Sequence, residues 1–233
     1  MIAIIDYNAG NLKSVEKALH FLGEDCVITR NFHEIETADK VILPGVGAFG
    51  DAMEQLKKYE LDKVIHQVTA ENKPFLGICL GLQLLFEGSD ESQGVEGLHV
   101  LDGQILRIPD QSGLKIPHIG WNSLHLQNDG RLFAGLEENP YVYFVHSYYL
   151  QADDEDIVAA NGLLDMALRF ARTETRECRL DEVGVALIAR ERDGCFVLAL
   201  ADLAPCFEIG VDLCGKLLTA GQCDERKRSY RNS

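Results

Sequence analysis

A single cysteine between two glycines is the residue of this chain best placed for nucleophilic chemistry. Cys79 lies in the stretch GICLG, between the apolar run KPFL and the segment LQLLFEG. The pattern G-x-C-x-G is typical of a nucleophile elbow, a tight strand-to-helix turn in which Gly77 and Gly81 relieve crowding and the central side chain is exposed. Backbone N–H groups at such a helix start favour a thiolate and can bind a tetrahedral oxyanion. A small buried cysteine with no catalytic role is the alternative.

A second glycine-rich stretch, PGVGAFG at residues 44–50, follows an expected strand and precedes an expected helix. It contains G-x-G-x-x-G, which can bind a dinucleotide when it follows the first strand of a βα unit. Here it follows the third expected strand, and the bulky Phe49 would intrude on the turn, so nucleotide binding is the weaker interpretation. Such a loop can instead offer its amides to a carbonyl oxygen beside the cysteine of the neighbouring strand.

Two further stretches combine histidine with aromatic residues. PHIGWN places His118, the single tryptophan and Asn122 together in an expected loop. YFVHSYY, around His146, alternates as a strand does and ends in polar groups. Either histidine could be purely structural, and the tryptophan could belong to the core or to a contact surface.

Hydrophobic periodicity predicts the elements that must position these residues. IAIIDY, DCVITR, DKVILPG and PFLGICL are short, nearly continuous apolar runs, typical of strands buried on both faces of a sheet. Helical spacing fills NAGNLKSVEKALHFLG and AMEQLKKYELDKVIHQVTAEN, and another helix is expected from GLQLLFEG. This alternation predicts an α/β fold around a mainly parallel sheet, followed by a strand-rich part from GLHVLDGQILRIP onward.

Bulk properties exclude several classes of protein. A formal net charge of −15 argues against nucleic acid or an anionic membrane surface as the main partner. No apolar run approaches the roughly 18–20 residues of a membrane-spanning helix. Because IAIIDY lacks the basic segment of a signal peptide, we expect a cytoplasmic protein whose seven cysteines are free thiols, with no structural zinc site.

Taken together, the motifs resemble those of the class I glutamine amidotransferases, and most closely the glutaminase subunits of imidazole glycerol phosphate synthases. The stretches IDYNAGNL, LPGVGAFG, GICLGLQLLFEGS, PHIGWN and YFVHSYY match that subunit in the expected order, over about residues 1–160. The resemblance implies a three-layer α/β fold with a nucleophile elbow. It also implies a heterodimer with a (β/α)₈ cyclase subunit, and no metal or organic cofactor on this chain.

The resemblance also implies roles for individual residues. Cys79 would attack the side-chain amide of L-glutamine, form a thioester and release ammonia for the cyclase. The N–H groups of Leu80 and, after a peptide reorientation, of Val46 would form the oxyanion hole. The residues implied to hold glutamine are Gly45, Gly47, Gln83, Ser147 and Tyr148. Those implied to face the cyclase are His118, Trp121 and Asn122.

The last part of the chain departs from this resemblance. The family completes its catalytic triad with a histidine and a glutamate in a motif F-H-P-E-K, but this chain has no histidine after His146. Residues 161–233 also contain five of the seven cysteines and nine of the twelve arginines. We therefore expect two parts, a glutamine amidotransferase domain at 1–160 and a divergent or frame-shifted segment at 161–233.

Two explanations of this segment stay open. A frameshift in the gene, or in its sequencing, would account for the abrupt change in composition. A genuinely divergent end would instead form two strands in VGVALIARERDGCFVLALADL and a helix in EIGVDLCGKLLTAG.

In either case the missing histidine predicts a poor or inactive glutaminase, because cysteine chemistry requires a base and a proton donor. A non-catalytic subunit that binds the cyclase is the alternative function. An unrelated α/β protein with a cysteine elbow is a third.

Overall fold

A parallel β-sheet forms the centre of the molecule. The computed structural model describes residues 1–8, 11–110, 115–126, 133, 140–154, 157–162 and 186–187. Four strands, Ile2–Ile5 (β1), Cys26–Thr29 (β2), Lys40–Gly45 (β3) and Phe75–Cys79 (β4), pair in the order β2–β1–β3–β4. All three pairings are parallel, which confirms the predicted α/β class with a mainly parallel central sheet.

Helices connect these strands and cover both faces of the sheet. They are Leu12–Phe21 (α1), Phe32–Thr37 (α2), Phe49–Lys58 (α3), Leu61–Ala70 (α4) and Leu80–Gln83 (α5). Alternate side chains of the strands enter two separate cores. Ile5, Leu43 and Phe75 pack with α2, α3 and α4, whereas Ile4 and Ile42 pack with α1 and with later strands. Helices and strands thus make the three layers that the resemblance implied.

The second half of the described chain is rich in strands, as predicted. It contains Gly88–Ser89 (β5), Gly103–Arg107 (β6), His118–Leu126 (β7), Tyr141–His146 (β8), Tyr148–Ala152 (β9), Ala160–Gly162 (β10) and Ala186–Leu187 (β11). One sheet has the order β5–β6–β9 and the other the order β11–β10–β7–β8. The hairpin of β7 and β8 packs Leu124, Val142 and Phe144 into the core that also contains Ile4 and Ile42.

Several local predictions were wrong. PHIGWN is not a loop, because residues 118–126 form a strand in which Ile119 and Trp121 alternate with less exposed neighbours. The long helix predicted over residues 52–72 is two helices, separated where Glu60 takes a left-handed φ of 56°. The helix after the cysteine ends at Gln83 rather than extending to residue 88. The sequence analysis also missed α2. The Asn31 side chain caps this helix, since its Oδ1 accepts a hydrogen bond from the N–H of His33 at 2.9 Å.

Most of the segment at 161–233 lies outside the described residues, so neither explanation of its composition is tested. The predicted Asp-Gly hairpin and the helix at EIGVDLCGKLLTAG fall there, apart from β11, whose two residues pair antiparallel with β10. Within the described residues, none of the helices has the length and apolar character needed to cross a membrane.

Candidate active site

Cys79 occupies a sharp turn between β4 and α5. It is the last residue of the strand, and its backbone has φ 53° and ψ −117°, a conformation that is strained for a residue with a side chain. A Cβ atom on Gly81 would lie 1.9 Å from the carbonyl oxygen of Leu43, and one on Gly77 would lie 2.8 Å from Cα of Leu82. Only glycine fits at both positions, so the predicted nucleophile elbow is confirmed.

A cleft of about 280 Å³ opens at this turn. Its walls come from the end of β3 and the following loop, from the elbow, and from the end of β8 with the residues after it. All eight residues predicted to act on, stabilise or hold a substrate line it: Gly45, Val46, Gly47, Cys79, Leu80, Gln83, Ser147 and Tyr148. The structure therefore brings three separate stretches of sequence to one cleft, while the role of each residue stays a prediction.

The register of the sheet explains why the two glycine-rich stretches meet. Gly45 at the end of β3 pairs with Cys79 at the end of β4, so the carboxyl ends of the two neighbouring strands lie side by side. A Cβ on Gly45 would lie 2.5 Å from the backbone nitrogen of Gly81. This close approach places the loop at Val46 and Gly47 beside the sulfur, where its amides can face a substrate carbonyl.

The amides at the start of α3 are already occupied, which argues against nucleotide binding by this loop. Phe49 N–H donates to Oε2 of Glu91 at 2.8 Å, and Gly50 N–H donates to Oγ of Ser92 at 2.9 Å. Phe49 itself is fully buried. A phosphate would need these N–H groups and would meet the Glu91 carboxylate instead.

Three polar residues of the cleft were not singled out as site residues by the sequence analysis: Asn11, Glu91 and His146. Asn11 lies within the motif IDYNAGNL, so the motif could have indicated it. Glu91 lies in a short 3-10 turn, Asp90–Ser92, that no sequence pattern marks. His146 was noted only as part of a distinctive strand. Among the described residues, Glu91 is the one acidic side chain that lines the cleft.

His146 is neutral and only weakly basic in this setting. Its Nδ1–H donates to the carbonyl oxygen of Tyr148 at 3.0 Å, and its buried Nε2 has no hydrogen-bond partner among the described residues. Burial, with a smaller contribution from His118 at 5.5 Å between ring centroids, lowers the pKa of His146 to about 4, although the hydrogen bond to Tyr148 acts in the opposite direction. A thiol has an ordinary pKa of about 8.5. Transfer of its proton to such an imidazole is unfavourable, because the two pKa values differ by more than four units. At that pKa, His146 is a weak acceptor for the proton of Cys79.

The two faces of the β7–β8 hairpin differ in character. Ile119, Trp121 and Tyr141 are 57%, 46% and 60% exposed, and the Trp121 ring contacts that of Tyr143 edge-on at 5.5 Å. We call the outward residues Ile119, Trp121, Tyr141, Tyr143 and Val145 the hairpin face. Val145 also lines the cleft, so the hairpin face reaches the mouth of the cleft.

Of the three residues predicted to face a partner, only Trp121 belongs to the hairpin face. His118 and Asn122 point to the opposite side of β7, where Nε2–H of His118 donates to Oδ1 of Asn122 at 3.0 Å. Both are half-buried. They belong to the layer that also contains the rings of Phe144 and His146. As partner contacts all three stay predictions.

Comparison with known proteins identifies a family that matches most of this chain. Residues 3–170 match the family described as "Glutamine amidotransferase class-I". The chain is similar to the imidazole glycerol phosphate synthase subunit HisH of Methanocaldococcus jannaschii, with 48% identity over 68% of this chain and 78% of that protein. It is likewise similar to the subunit of the same name from Oceanobacillus iheyensis, with 50% identity over 70% of this chain and 80% of that protein.

Solved structures show the same fold at low sequence identity. One described as a glutamine amidotransferase has a TM-score of 0.62 and 16% identity, over 93% of this chain and 99% of that chain. PurLQS from Thermotoga maritima has a TM-score of 0.63 and 18% identity, over 95% and 98%.

Proposed function

The chain belongs to the class I glutamine amidotransferase family, and we propose that it works as the glutaminase subunit of an imidazole glycerol phosphate synthase in histidine biosynthesis. The observation that carries this proposal is the cleft at Cys79, in which a strained cysteine elbow meets the glycine-rich loop of the neighbouring strand. The identity of about half of the aligned residues to the two subunits named above supports the same assignment.

In the proposed reaction, the Cys79 thiolate attacks the side-chain amide carbon of glutamine. The carbonyl oxygen becomes an oxyanion, which the N–H groups of Leu80 and Val46 would stabilise. Collapse of this intermediate breaks the C–N bond and, with one proton, releases ammonia, leaving a thioester on Cys79. Water then hydrolyses the thioester to glutamate and returns the thiol. The ammonia would pass to the partner subunit.

The polar residues of the cleft fit a glutamine substrate. A free amino acid carries an ammonium group, and the Glu91 carboxylate at one wall of the cleft offers it a charge partner. Gln83, Ser147 and Tyr148 add side-chain donors and acceptors around the same space. We propose that Glu91 binds the α-ammonium group of glutamine while the side-chain amide lies at Cys79.

Electrophilic labelling tests the proposed function without requiring turnover. A glutamine analogue with a chloromethyl ketone in place of the amide should alkylate Cys79 in the full chain, and excess glutamine should protect it. Cys26 is the internal control, because burial raises the pKa of its thiol and it lies outside the cleft. Mass spectrometry of the modified peptides measures both. Equal labelling of the two cysteines, or no protection by glutamine, would contradict the proposal.

We further propose that the hairpin face binds a (β/α)₈ cyclase subunit, forming a heterodimer. Exposed aromatic residues are enriched at the centres of protein interfaces. The hairpin face carries two of them, Trp121 and Tyr141, and it reaches the cleft at Val145. A partner bound there would cover the route by which ammonia leaves, which suits transfer between two subunits.

Trp121→Ala should weaken binding of the cyclase by about 30-fold, as expected for the loss of a central aromatic contact. The variant should keep its fold, because Trp121 is nearly half exposed. Calorimetric titration against the cyclase of the same organism measures the change. Phe21→Ala removes an aromatic ring that is 62% exposed outside the hairpin, and serves as the control. If both variants bind as the unsubstituted chain does, the hairpin face is not the interface.

One observation favours a second function, that of a docking subunit without glutaminase activity. The one histidine that lines the cleft among the described residues is His146, whose pKa of about 4 makes it a weak base. Binding of the cyclase with normal affinity, together with labelling of Cys79 and no turnover, would support this function.

We propose a cytoplasmic location for the subunit. Within the described residues, neither Cys26 nor Cys79 forms a disulfide, as is usual in a reducing compartment. The division into a glutamine amidotransferase domain at 1–160 and a divergent segment at 161–233 also stays a proposal. The family match ends at residue 170, ten residues beyond the proposed boundary.

A further inference from the structure

Tyr7 is a buried phenol next to the cleft to which the mechanism above gives no role. It follows β1 after one residue and is among the largest fully buried side chains of the described chain. Its hydroxyl donates to the carbonyl oxygen of Pro44 at 2.8 Å. Pro44 begins the glycine-rich loop, so this bond joins the first strand to the segment that carries the proposed oxyanion donor.

The bond lies where the pairing of β1 with β3 has ended. The last paired residues of these two strands are Ile4 and Ile42, whereas β3 continues to Gly45 and stays paired with β4 up to Cys79. Beyond Ile42 the Tyr7 hydroxyl contacts the peptide of β3 from the side of β1. The side chain thus extends the attachment of β3 beyond the end of the main-chain ladder.

The two ends of the loop differ in how tightly they are held. A Cβ on Gly45 would lie 2.8 Å from the Tyr7 oxygen and 2.5 Å from the nitrogen of Gly81, so Gly45 is closely packed. Gly47 has φ +97° and open space around its Cα, and Val46 between them is 47% exposed. The loop is therefore closely packed at its first glycine and has open space at its second.

We propose that Tyr7 is a positioning residue for the oxyanion hole. Its hydroxyl holds the Pro44–Gly45 peptide in place, so that the reorientation that turns the Val46 N–H toward the substrate is confined to the Gly45–Val46 peptide. This inference rests on the proposed function, which uses the Val46 N–H as an oxyanion donor. Without the hydroxyl, both peptides can rotate, and the donor spends less time in the productive orientation.

The environment of Tyr7 keeps it a hydrogen-bond donor. Burial, and to a lesser extent the negative charge of Cys79, raise the pKa of Tyr7 above its ordinary value. The phenol therefore retains its proton at neutral pH, even when the nearby sulfur is ionised. A carbonyl oxygen can only accept, so the bond to Pro44 requires that proton.

Tyr7→Phe in the full chain tests the inference through two reagents that differ in their need for an oxyanion hole. Cys79 first adds to the carbonyl carbon of the glutamine-like chloromethyl ketone, giving a tetrahedral oxyanion, and the sulfur then displaces chloride from the neighbouring carbon as the carbonyl reforms. Iodoacetamide instead loses iodide directly at a saturated carbon, without an oxyanion. We expect the variant to lose about tenfold or more in the rate of ketone labelling, and to keep its iodoacetamide rate within about threefold. The ratio of the two rates is the measurement.

Tyr149→Phe is the matched control, because it removes a second buried phenol that does not line the cleft. Its ratio should equal that of the unsubstituted chain. An unchanged ratio in Tyr7→Phe, or an equal loss with both reagents, would overturn the inference. If the ketone fails to label Cys79 in the unsubstituted chain, the proposed function fails instead, so the two failures are distinguishable.

A second substitution keeps the inference testable if Tyr7→Phe does not fold. 3-Fluorotyrosine at position 7 retains the ring shape and the hydroxyl but makes the hydroxyl a stronger donor. A change in the ketone rate with an unchanged iodoacetamide rate would support the inference. Unchanged rates with both reagents would overturn it.

Discussion

Mixed with its cyclase, the full chain is expected to hydrolyse glutamine about 10²- to 10⁴-fold more slowly than a relative with a complete triad, since a positioned general base and acid contributes a factor of this size. The chain has no histidine after His146. His146 lines the cleft, but its pKa of about 4 makes it a weak acceptor for the proton of Cys79 at neutral pH. Glutamate release, measured by a coupled assay, gives the rate.

Chemical rescue separates a missing base from a damaged cleft. Free imidazole should raise the glutaminase rate in proportion to its concentration, because a small base can enter the cleft of about 280 Å³ and take the proton. Cys79→Ala should show no rescue. Turnover within an order of magnitude of the intact relative, without added imidazole, would contradict the prediction. Rescue of the rate would also show that the elbow and the substrate contacts are intact.

The source of the departure can be tested in the coding DNA. If another reading frame downstream of codon 160 encodes the F-H-P-E motif, the composition of residues 161–233 results from a frameshift. If none does, the end of the chain is a divergent sequence, and its five cysteines belong to it. Either result leaves the rate prediction for this polypeptide unchanged.

The central sheet could be predicted from the sequence because the burial of each strand is visible in its own few residues. Strands β1, β3 and β4 are buried on both faces, and this requires continuous apolar runs such as IAII and VILPG. Helix α2 was missed because it has six residues and only Ile35 is buried, which leaves no periodic pattern. The break between α3 and α4 was missed because Glu60 takes a left-handed conformation without being a glycine.

The cleft could be predicted only where a motif carried the information. Cys79 and the loop at Gly45 were found from the glycines around them, because close backbone contacts require glycine at specific positions. Glu91 and the hydroxyl of Tyr7 were not found, since each acts on residues about 40 positions away and no periodicity records such a contact. The exposure of Trp121 follows from its position on the outward side of β7, which the sequence predicted to be a loop.

The elbow should be the most sensitive point of the fold to the addition of a single methyl group. In Gly81→Ala, the new Cβ would lie 1.9 Å from the carbonyl oxygen of Leu43 and 3.2 Å from the carbonyl carbon of Pro44. Both are backbone atoms of β3, so the clash cannot be relieved by rotating a side chain. Either β3 moves away from β4 or the turn at Cys79 opens, and each change disrupts the two cores on the faces of the sheet.

We expect Gly81→Ala to lower the free energy of unfolding by about 4 kcal/mol, above the usual range for overpacking because backbone atoms must move. For a domain of this size, that loss lowers Tm by about 8–16 °C. Gly120→Ala is the control, since its Cβ would meet nothing closer than Oδ1 of Asn122 at 4.0 Å. Urea unfolding of both variants measures the difference, and ketone labelling of Cys79 reports the elbow. Equal stability in the two variants would show that β3 and the elbow are not packed at the observed distance. A loss confined to Gly81→Ala, together with loss of labelling, would show that the same backbone contact holds the sheet together and sets the position of the sulfur.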